Sequence, residues 1–501
     1  MIKINNFKFK TVPFAHQNQA LTDSWDKPFY ALLMEMGTGK TKVALDTMSM
    51  LYEDKKINAC LVVAPKGVYD NWIRGEIPTH VPERINLNVL RWTPSTSKTY
   101  QAELKEFTSN TDECLKVFVM NTEAFSTPRA SMIAYDFLKS NPNNLVIVDE
   151  STTIKNRKAA RTKNIISMNK ISKYRRILTG SPITKSPMDL YSQCLFLNSK
   201  ALGFNSYFAF QSRYSIVQRR VMGQRSFQEI TGYRRLDELN INLDKFSNRV
   251  LKVDCLDLPE KLYIRRDVPL TPEQVRVYNQ MQKLALAKLE SGELATTASV
   301  LTQIMRLQQI CCGFLQPDDG EIELLPSRRL DELLEITDEL QGKAIIWASY
   351  THDINQIAKA LGERFGPNSV ATYYGATEQD ERQNIVEEFQ KPDSELRFFI
   401  GQPKTGGYGI TLTAANTVVY FSNSYDLEIR LQSEDRAHRI GQKKAVTYID
   451  LVSPGTIDEK ILAALRGKID LAGQVLGENT KDGAVVRATG AGAGVGGGIG
   501  S

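Results

Sequence analysis

Two stretches of this chain set short apolar runs between segments whose apolar positions recur at helical spacing, and that alternation predicts parallel-sheet α/β domains. In the first stretch the runs are FYALLME, ACLVVAP, KVFVMN, NLVIVDE and RRILTG; in the second they are KAIIWAS, SVATYYG, RFFIGQ, NTVVYFS and AVTYIDLV. Between them, roughly from residue 190 to 325, the pattern is less regular and holds several helices. Inside that region SIVQRRVMGQRSFQEITGYRR, Ser215 to Arg235, reads as an arginine-dense hairpin turning near Gly223. The chain ends in ATGAGAGVGGGIGS. Such Gly/Ala-rich sequence buries too little surface to offset its ordering entropy, so disorder is expected from about Glu478.

Composition narrows the class without deciding it. The 501 residues, 42% hydrophobic and 24% charged, leave room for two or three domains of ordinary make-up. No apolar run reaches membrane-spanning length. The N-terminus, MIKINNFKFKTVPFAHQ, is basic but lacks the apolar core of a secretory signal. These features predict a cytoplasmic protein with no membrane association, in a bacterium or, for a viral gene, in its host. Cys60, Cys114, Cys194, Cys255, Cys311 and Cys312 form no CxxC pair and the four histidines are scattered, so the thiols are expected to be buried or partly buried rather than zinc-bound. The net charge of +6 permits a nucleic-acid partner and requires none.

The chemistry is concentrated in a few places. Met34 to Thr41, MEMGTGKT, follows one apolar run directly and precedes the helical segment KVALDTMSML. It reads as a phosphate-binding loop that would take ATP. Gly37 and Gly39, with Met36 and Thr38 beside them, bring backbone N–H groups to the phosphates, Lys40 reaches the β/γ oxygens, and Thr41 ligates magnesium. Met34 stands where the general pattern has glycine. Leu145 to Glu150 ends an apolar run in two carboxylates, of which Asp149 would hold Mg2+ and Glu150 would polarise the attacking water. His16 and Gln17 could set an amide against the adenine edge. Gln432, Arg436 and Arg439 share one helical face at i, i+4 and i+7. On a surface such a face is unremarkable; opposite a triphosphate the arginines neutralise charge developing on the γ-phosphate.

The whole string Gln432 to Gln442, QSEDRAHRIGQ, resembles the last motif of superfamily 2 helicases, and its ending is similar to that of the Swi/Snf-related translocases. Other segments follow in the same family order: Ala64–Trp72 resembles motif Ia, Asn121–Phe125 motif Ib, Leu178–Ile183 motif III, Ile345–Tyr350 motif IV and Thr405–Leu412 motif V. Phe246–Lys261 resembles the linker into the second lobe, and the likeness runs from His16 to about Leu465.

The resemblance implies an α/β fold of two tandem RecA-like lobes with a helical and hairpin insertion between them. The expected divisions are 1–253, carrying the arginine-rich hairpin at about 213–235, then 254–477, then the tail 478–501. It implies ATP and Mg2+ as cofactors, Lys40, Asp149, Glu150, Arg436 and Arg439 as catalytic residues, and a monomeric motor. The partner it implies is DNA, preferably double-stranded, with RNA as the alternative. Nucleic-acid contacts would fall on Pro65, Lys66, Thr122, Ser349, Thr405 and Gly406, and coupling on Thr179, Gly180, Ser181 and Gly409. The activity expected is a DNA-stimulated ATPase translocating in replication, recombination or repair. Rival readings are an RNA helicase, the motor subunit of a nuclease or restriction complex, and a non-hydrolysing scaffold.

This chain also departs from the pattern. No histidine follows the carboxylates in Asp149-Glu-Ser-Thr152, which removes one coupling residue. Motif V has Thr411 where many remodellers carry Asn. The short length suits a compact viral or bacterial member. In the hairpin, Arg219, Arg220, Arg225, Arg234 and Arg235 could form a wedge with Tyr214, Phe227 and Tyr233 stacking on bases; equally, its aromatics could pack on the first lobe.

Overall fold

Each of the apolar runs lies on a strand, and the strands assemble into two parallel sheets. The computed structural model describes residues 4–109, 113–222, 225–290, 297–317, 320–406 and 410–478. The first lobe contains β1 (Phe29–Met34), β2 (Ala59–Ala64), β3 (Leu87–Arg91), β4 (Leu115–Asn121), β5 (Asn144–Asp149) and β6 (Tyr174–Leu178). An antiparallel ribbon of β7 (Ser215–Met222) and β8 (Arg225–Tyr233) follows, and β9 (Ser247–Val250) returns to complete the sheet in the order β3-β4-β2-β5-β6-β1-β9. The second lobe contains β10 (Lys261–Asp267), a small antiparallel pair of β11 (Phe314–Leu315) and β12 (Glu323–Leu324), then β13 (Lys343–Trp347), β14 (Val370–Tyr373), β15 (Phe398–Gly401), β16 (Ala415–Tyr420) and β17 (Val446–Val452). Its sheet runs β10-β17-β16-β13-β15-β14.

The central strands are apolar along their whole length because helices cover both faces. Alternate residues divide between two cores: Tyr30, Leu32, Met34, Cys60, Val62 and Ala64 go to one, Ala31, Leu33, Ala59, Leu61 and Val63 to the other. Ala344 and Ile346 part from Ile345 and Trp347 in the same way in the second lobe. Parallel pairing places the carboxyl ends of all strands in a lobe at one edge, where ligands of open α/β sheets bind.

The irregular middle region divides between the lobes. β9 pairs with β1 and β10 with β17, so the chain crosses from one sheet to the other over residues 251–260. The last helix, Ile457–Leu476, straddles both: Ile457, Ile461 and Leu465 pack in the second lobe, whereas Val475 is buried in the core of the first. The ribbon pairs only with itself among the described residues. Tyr214 at its base is wholly buried against Phe204 and Phe210, with its hydroxyl donating to Glu238, and Tyr233 is half-buried. Base stacking by Tyr214 is therefore corrected: apolar packing of the ring outweighs its exposure on the arm. The side chains of Arg225 and Phe227, Gly223, Gly409 and the tail from 479 lie outside the described residues. Five of the cysteines are buried and Cys255 is partly so. Among the described residues no helix is long and apolar enough to cross a membrane.

Candidate functional site

β1 delivers the chain into a tight loop that ends at the helix Lys40–Glu53. Gly37 and Gly39 sit at φ +83° and +86°, a region that L side chains rarely adopt. At Gly39 a Cβ would also lie 2.1 Å from Gln17 Nε2. The loop and the helix N-terminus together turn backbone N–H groups and positive partial charge outward, the ingredients of a phosphate cradle. The Thr38 side chain is buried, its hydroxyl donating to the Glu35 carbonyl at 2.7 Å.

Lys40 Nζ lies 3.1 Å from Glu150 Oε1, with both side chains almost buried. Asp149 ends β5 with both oxygens engaged: Oδ2 accepts from the Trp72 indole at 2.9 Å and Oδ1 from the Glu150 N–H at 2.9 Å. Glu150 holds φ +45°, a strained left-handed conformation for a residue with a Cβ, of the kind concentrated at functional sites. Burial pushes both carboxyls above their usual range, against the opposing pull of Lys40. For Lys40 burial acts downward, but Glu150 and Asp149 outweigh it and hold the ammonium above its ordinary value. The lysine is therefore firmly charged, and Glu150 is a stronger base than an exposed glutamate. Thr41 lines the same cleft. A hydroxyl and a carboxylate are hard oxygen donors that suit magnesium, which takes few protein ligands and completes its shell with water and phosphate oxygens.

His16 and Gln17 reach the loop from behind. Gln17 Oε1 accepts from the Phe14 N–H at 3.0 Å and its Nε2 donates to the Thr38 carbonyl at 3.1 Å; His16 Nε2 donates to the same carbonyl at 2.8 Å. Gln17 lines the cleft, yet both ends of its amide are bound to backbone, so it braces the loop.

The second lobe contributes Arg436 and Arg439. With Met36, Gly37, Gly39, Lys40, Thr41, Asp149 and Glu150 they line one cleft of about 460 Å³. Arg436 donates to the carbonyls of Ile410 and Gln432 at 3.0 Å each, and Arg439 to Ile410 at 3.4 Å. The single helical face predicted for Gln432, Arg436 and Arg439 is corrected here. The helix Leu427–Glu434 stops before the arginines, and the change of direction leaves Gln432 buried behind them while both arginines face the cleft. Burial lowers the Arg439 pKa, opposed by Asp435 and Glu76. Lys252, in the crossing segment, fastens this turn to the phosphate loop. Its N–H donates to Glu35 Oε2 at 2.7 Å, and its Nζ donates to Asp435 at 2.5 Å and the His438 carbonyl at 2.9 Å.

Of the expected coupling residues, Thr179, Gly180 and Ser181 lie beside this loop. A Cβ on Gly180 would sit 3.1 Å from the Met36 nitrogen and 3.3 Å from the Met34 carbonyl, and Thr179 Oγ1 accepts from the Ser181 N–H at 3.1 Å. The expected nucleic-acid residues all follow the carboxyl ends of strands, some in the first lobe and some in the second. Pro65 and Lys66 come after β2, Thr122 after β4, Ser349 after β13, and Thr405 and Gly406 after β15. Lys66 is exposed, Ser349 and Thr405 are half-buried, and Pro65, Thr122 and Gly406 are buried. Thr122 is wholly buried, hydroxyl and backbone alike, which corrects its expected place at a nucleic-acid contact: the packing that closes the end of β4 leaves it no surface.

The family model described as the SNF2-related domain matches residues 30–314, more than half of the chain. The chain belongs to the SNF2-related family. Helicase conserved C-terminal domain, a second model, matches residues 327–441. YwqA of Bacillus subtilis, whose name describes an ATP-dependent helicase/translocase, is 28% identical over 88% of this chain and 46% of its own length. SWI/SNF chromatin-remodeling complex subunit snf22 of Schizosaccharomyces pombe is 28% identical over 88% of this chain and 26% of its own. Transcription regulatory protein SNF2 of Saccharomyces cerevisiae is 27% identical with the same coverage, 88% and 26%. The chain thus spans less than half the length of these SNF2-related relatives. A solved structure, the Sulfolobus solfataricus SWI2/SNF2 ATPase core in complex with dsDNA, matches 93% of both chains at 24% identity and a TM-score of 0.41.

Proposed function

We propose that this chain hydrolyses ATP and uses the cycle to move along double-stranded DNA. The observation that carries the reading is the composition of one cleft: Lys40 and Glu150, 3.1 Å apart on the first lobe, face Arg436 and Arg439 of the second. Lys40, kept cationic by its two carboxylate neighbours, balances charge at the β/γ-phosphates. Glu150 accepts the proton of the attacking water, and the arginines balance the charge that develops on the transferred phosphoryl group. Asp149, oriented by Trp72, and Thr41 would hold Mg2+, which when bound neutralises phosphate charge. Hydrolysis removes the group gripped from both sides, so the lobes separate as rigid bodies. Thr179, Gly180, Ser181 and Gly409 would transmit that change to the strand-end loops. There Pro65, Lys66, Ser349, Thr405 and Gly406 would follow the DNA backbone, a sequence-independent mode. The names of the relatives, a helicase/translocase and a chromatin-remodeling subunit, support DNA as the track.

The test is steady-state ATP hydrolysis at low salt with no nucleic acid, duplex DNA, single-stranded DNA and RNA, with Glu150→Gln as control. Duplex DNA is expected to stimulate most strongly, and the variant to lose about 100-fold or more, as removal of a general base does. Stimulation by RNA alone would overturn the track, and absence of hydrolysis the motor.

A further inference from the structure

The turn that carries Glu150 is also the turn that touches the opposite lobe. It continues as the short 3-10 segment Ser151–Ile154, in which Thr152 is buried. Thr152 Oγ1 donates to Glu428 Oε1 at 2.7 Å, and Lys155 Nζ donates to Glu428 Oε2 at 3.0 Å. Lys155 also donates to Thr184 Oγ1 at 2.7 Å, in the loop that follows the Thr179–Ser181 segment. One carboxylate from the second lobe therefore engages two groups beyond β5 and, through Lys155, the loop beyond β6.

Glu428 is held firmly on its own side. It lies in the first turn of the helix Leu427–Glu434, and its N–H donates to the capping Asp426 side chain at 3.0 Å. The same helix ends at Glu434, immediately before the turn that carries Asp435, Arg436 and Arg439, so the position of Glu428 bears on where the arginines emerge. The Glu428 and Lys155 side chains are only 13% and 18% exposed, which makes the pair desolvated and its geometry exacting. Burial raises the Glu428 pKa, Lys155 and Thr152 oppose it, and the charge of Glu150 adds to the rise. Two carboxylates that repel are thus brought toward each other, and Lys155 and Thr152 are the groups that make the approach favourable.

We propose that Glu428 is a positioning residue of the ATP site, which aligns the arginine turn with Glu150 by gripping Thr152 and Lys155 when the lobes are together. The assignment rests on ATP hydrolysis in this cleft. Both oxygens are needed: a glutamine keeps one acceptor for Thr152 but turns an amide toward the Lys155 ammonium. The bridge is broken when the lobes part, so it favours the closed arrangement in every cycle. Thr152 occupies the position at which the histidine after the carboxylates is missing, and its hydroxyl reaches across to the second lobe.

The experiment uses the full chain, with Glu428→Gln, Thr152→Val, the Thr152→Val/Glu428→Gln double variant, Lys155→Glu, and the exchanged pair Lys155→Glu/Glu428→Lys. Steady-state kcat and KM for ATP are measured with duplex DNA, and inter-lobe distance is followed by energy transfer between one dye on each lobe with a non-hydrolysable ATP analogue. Glu428→Gln and Thr152→Val are each expected to lower kcat about tenfold, leaving KM within about twofold, and to lose the closed-state transfer signal. The double variant should be no worse than the more damaging single change, because both remove one interaction. The exchanged pair should recover at least half of what Lys155→Glu loses. Strictly additive losses, an unchanged transfer signal, or no recovery in the exchanged pair would overturn the assignment. If the unaltered chain hydrolyses no ATP, the proposed function fails by itself, and the transfer signal of Glu428→Gln against the unaltered chain still decides whether Glu428 aligns the lobes.

Discussion

Trp72 and Asp149 are 77 residues apart, and their 2.9 Å hydrogen bond is what gives the carboxylate its direction. Lys40, Asp149 and Glu150 were legible because each stands at a spacing that local chain geometry enforces: a loop before a helix, or a strand end. The indole was not legible as a site residue, since nothing in the segment around Trp72 states which distant carboxylate it will meet. Gln17 shows the same limit from the other side: its proximity to the loop could be read, but not the two backbone groups that claim its amide. Trp72→Phe keeps the ring and removes the donor. A lost partner of a metal-binding carboxylate weakens metal affinity by about 10–100-fold, and leaving one oxygen of a buried carboxylate without its donor costs the fold about 1–3 kcal/mol. The expected outcome is therefore a Mg2+ requirement for ATP hydrolysis raised at least tenfold in a variant that melts at a lower temperature but remains folded under the assay conditions. A Mg2+ titration that superimposes on that of the unaltered chain would remove Trp72 from the site.

Three of the four edge strands of the two large sheets escaped the apolar pattern, and only β14 was read from it. β3, β9 and β10 each border a sheet, and an edge strand covered on fewer sides keeps polar residues that a central strand cannot. In β10 those residues have a definite task. Lys261 Nζ and the Tyr263 hydroxyl donate to Glu434 Oε2 at 3.2 and 2.7 Å, while Arg430 Nε donates to Oε1 at 2.8 Å. Arg430 also binds Asp450 at 2.5 Å and stacks on Tyr420 at 3.6 Å. The strand entering the second lobe is thereby tied to the end of the helix that precedes the arginines. Burial acts to raise the Glu434 pKa, but Lys261 and Arg430 more than reverse it and bring it to about 2. A carboxylate depressed in the folded state stabilises it fully above its unfolded value of about 4.3 and loses that contribution as pH falls toward 2. Glu434→Gln, which leaves buried cations without their partner, is expected to cost about 3–5 kcal/mol near neutrality. In denaturation measured from pH 7 down to pH 2.5, the gap between the two proteins should narrow steadily; a gap independent of pH would show that the charge of Glu434 contributes nothing.

At the scale of the whole molecule, the two grips a motor needs differ in how much water they contain. The contacts between lobes are largely desolvated: Lys252 with Asp435, Lys155 with Glu428, and Val475 buried in the core of the first lobe. Dissolved salt screens such pairs weakly. DNA contacts act at an open surface and displace counterions, so affinity falls with salt in proportion to the cations that meet phosphate, with a slope near 0.9 for each. Of the strand-end residues proposed to follow the backbone, only Lys66 is charged. Those residues alone would give a slope of about 1, too shallow for a protein that must hold a duplex through each cycle. The exposed ribbon is a reserve of positive charge on the first lobe. Arg219 and Arg234 are exposed there, and among the described residues their Nη2 atoms donate only to Ser226 Oγ and the Ser212 carbonyl, neither of which neutralises a guanidinium. Arg220 is already paired with Glu229. The expected duplex affinity of the unaltered chain therefore falls with salt more steeply than one lysine allows, and Arg219→Ala/Arg234→Ala flattens the slope by about 2 while leaving the ATP KM unchanged at every salt concentration. Binding isotherms from 50 to 200 mM salt measure both slopes. Parallel lines for the two proteins would mean that the ribbon stands clear of the DNA and that the charge holding the duplex lies elsewhere on the two lobes.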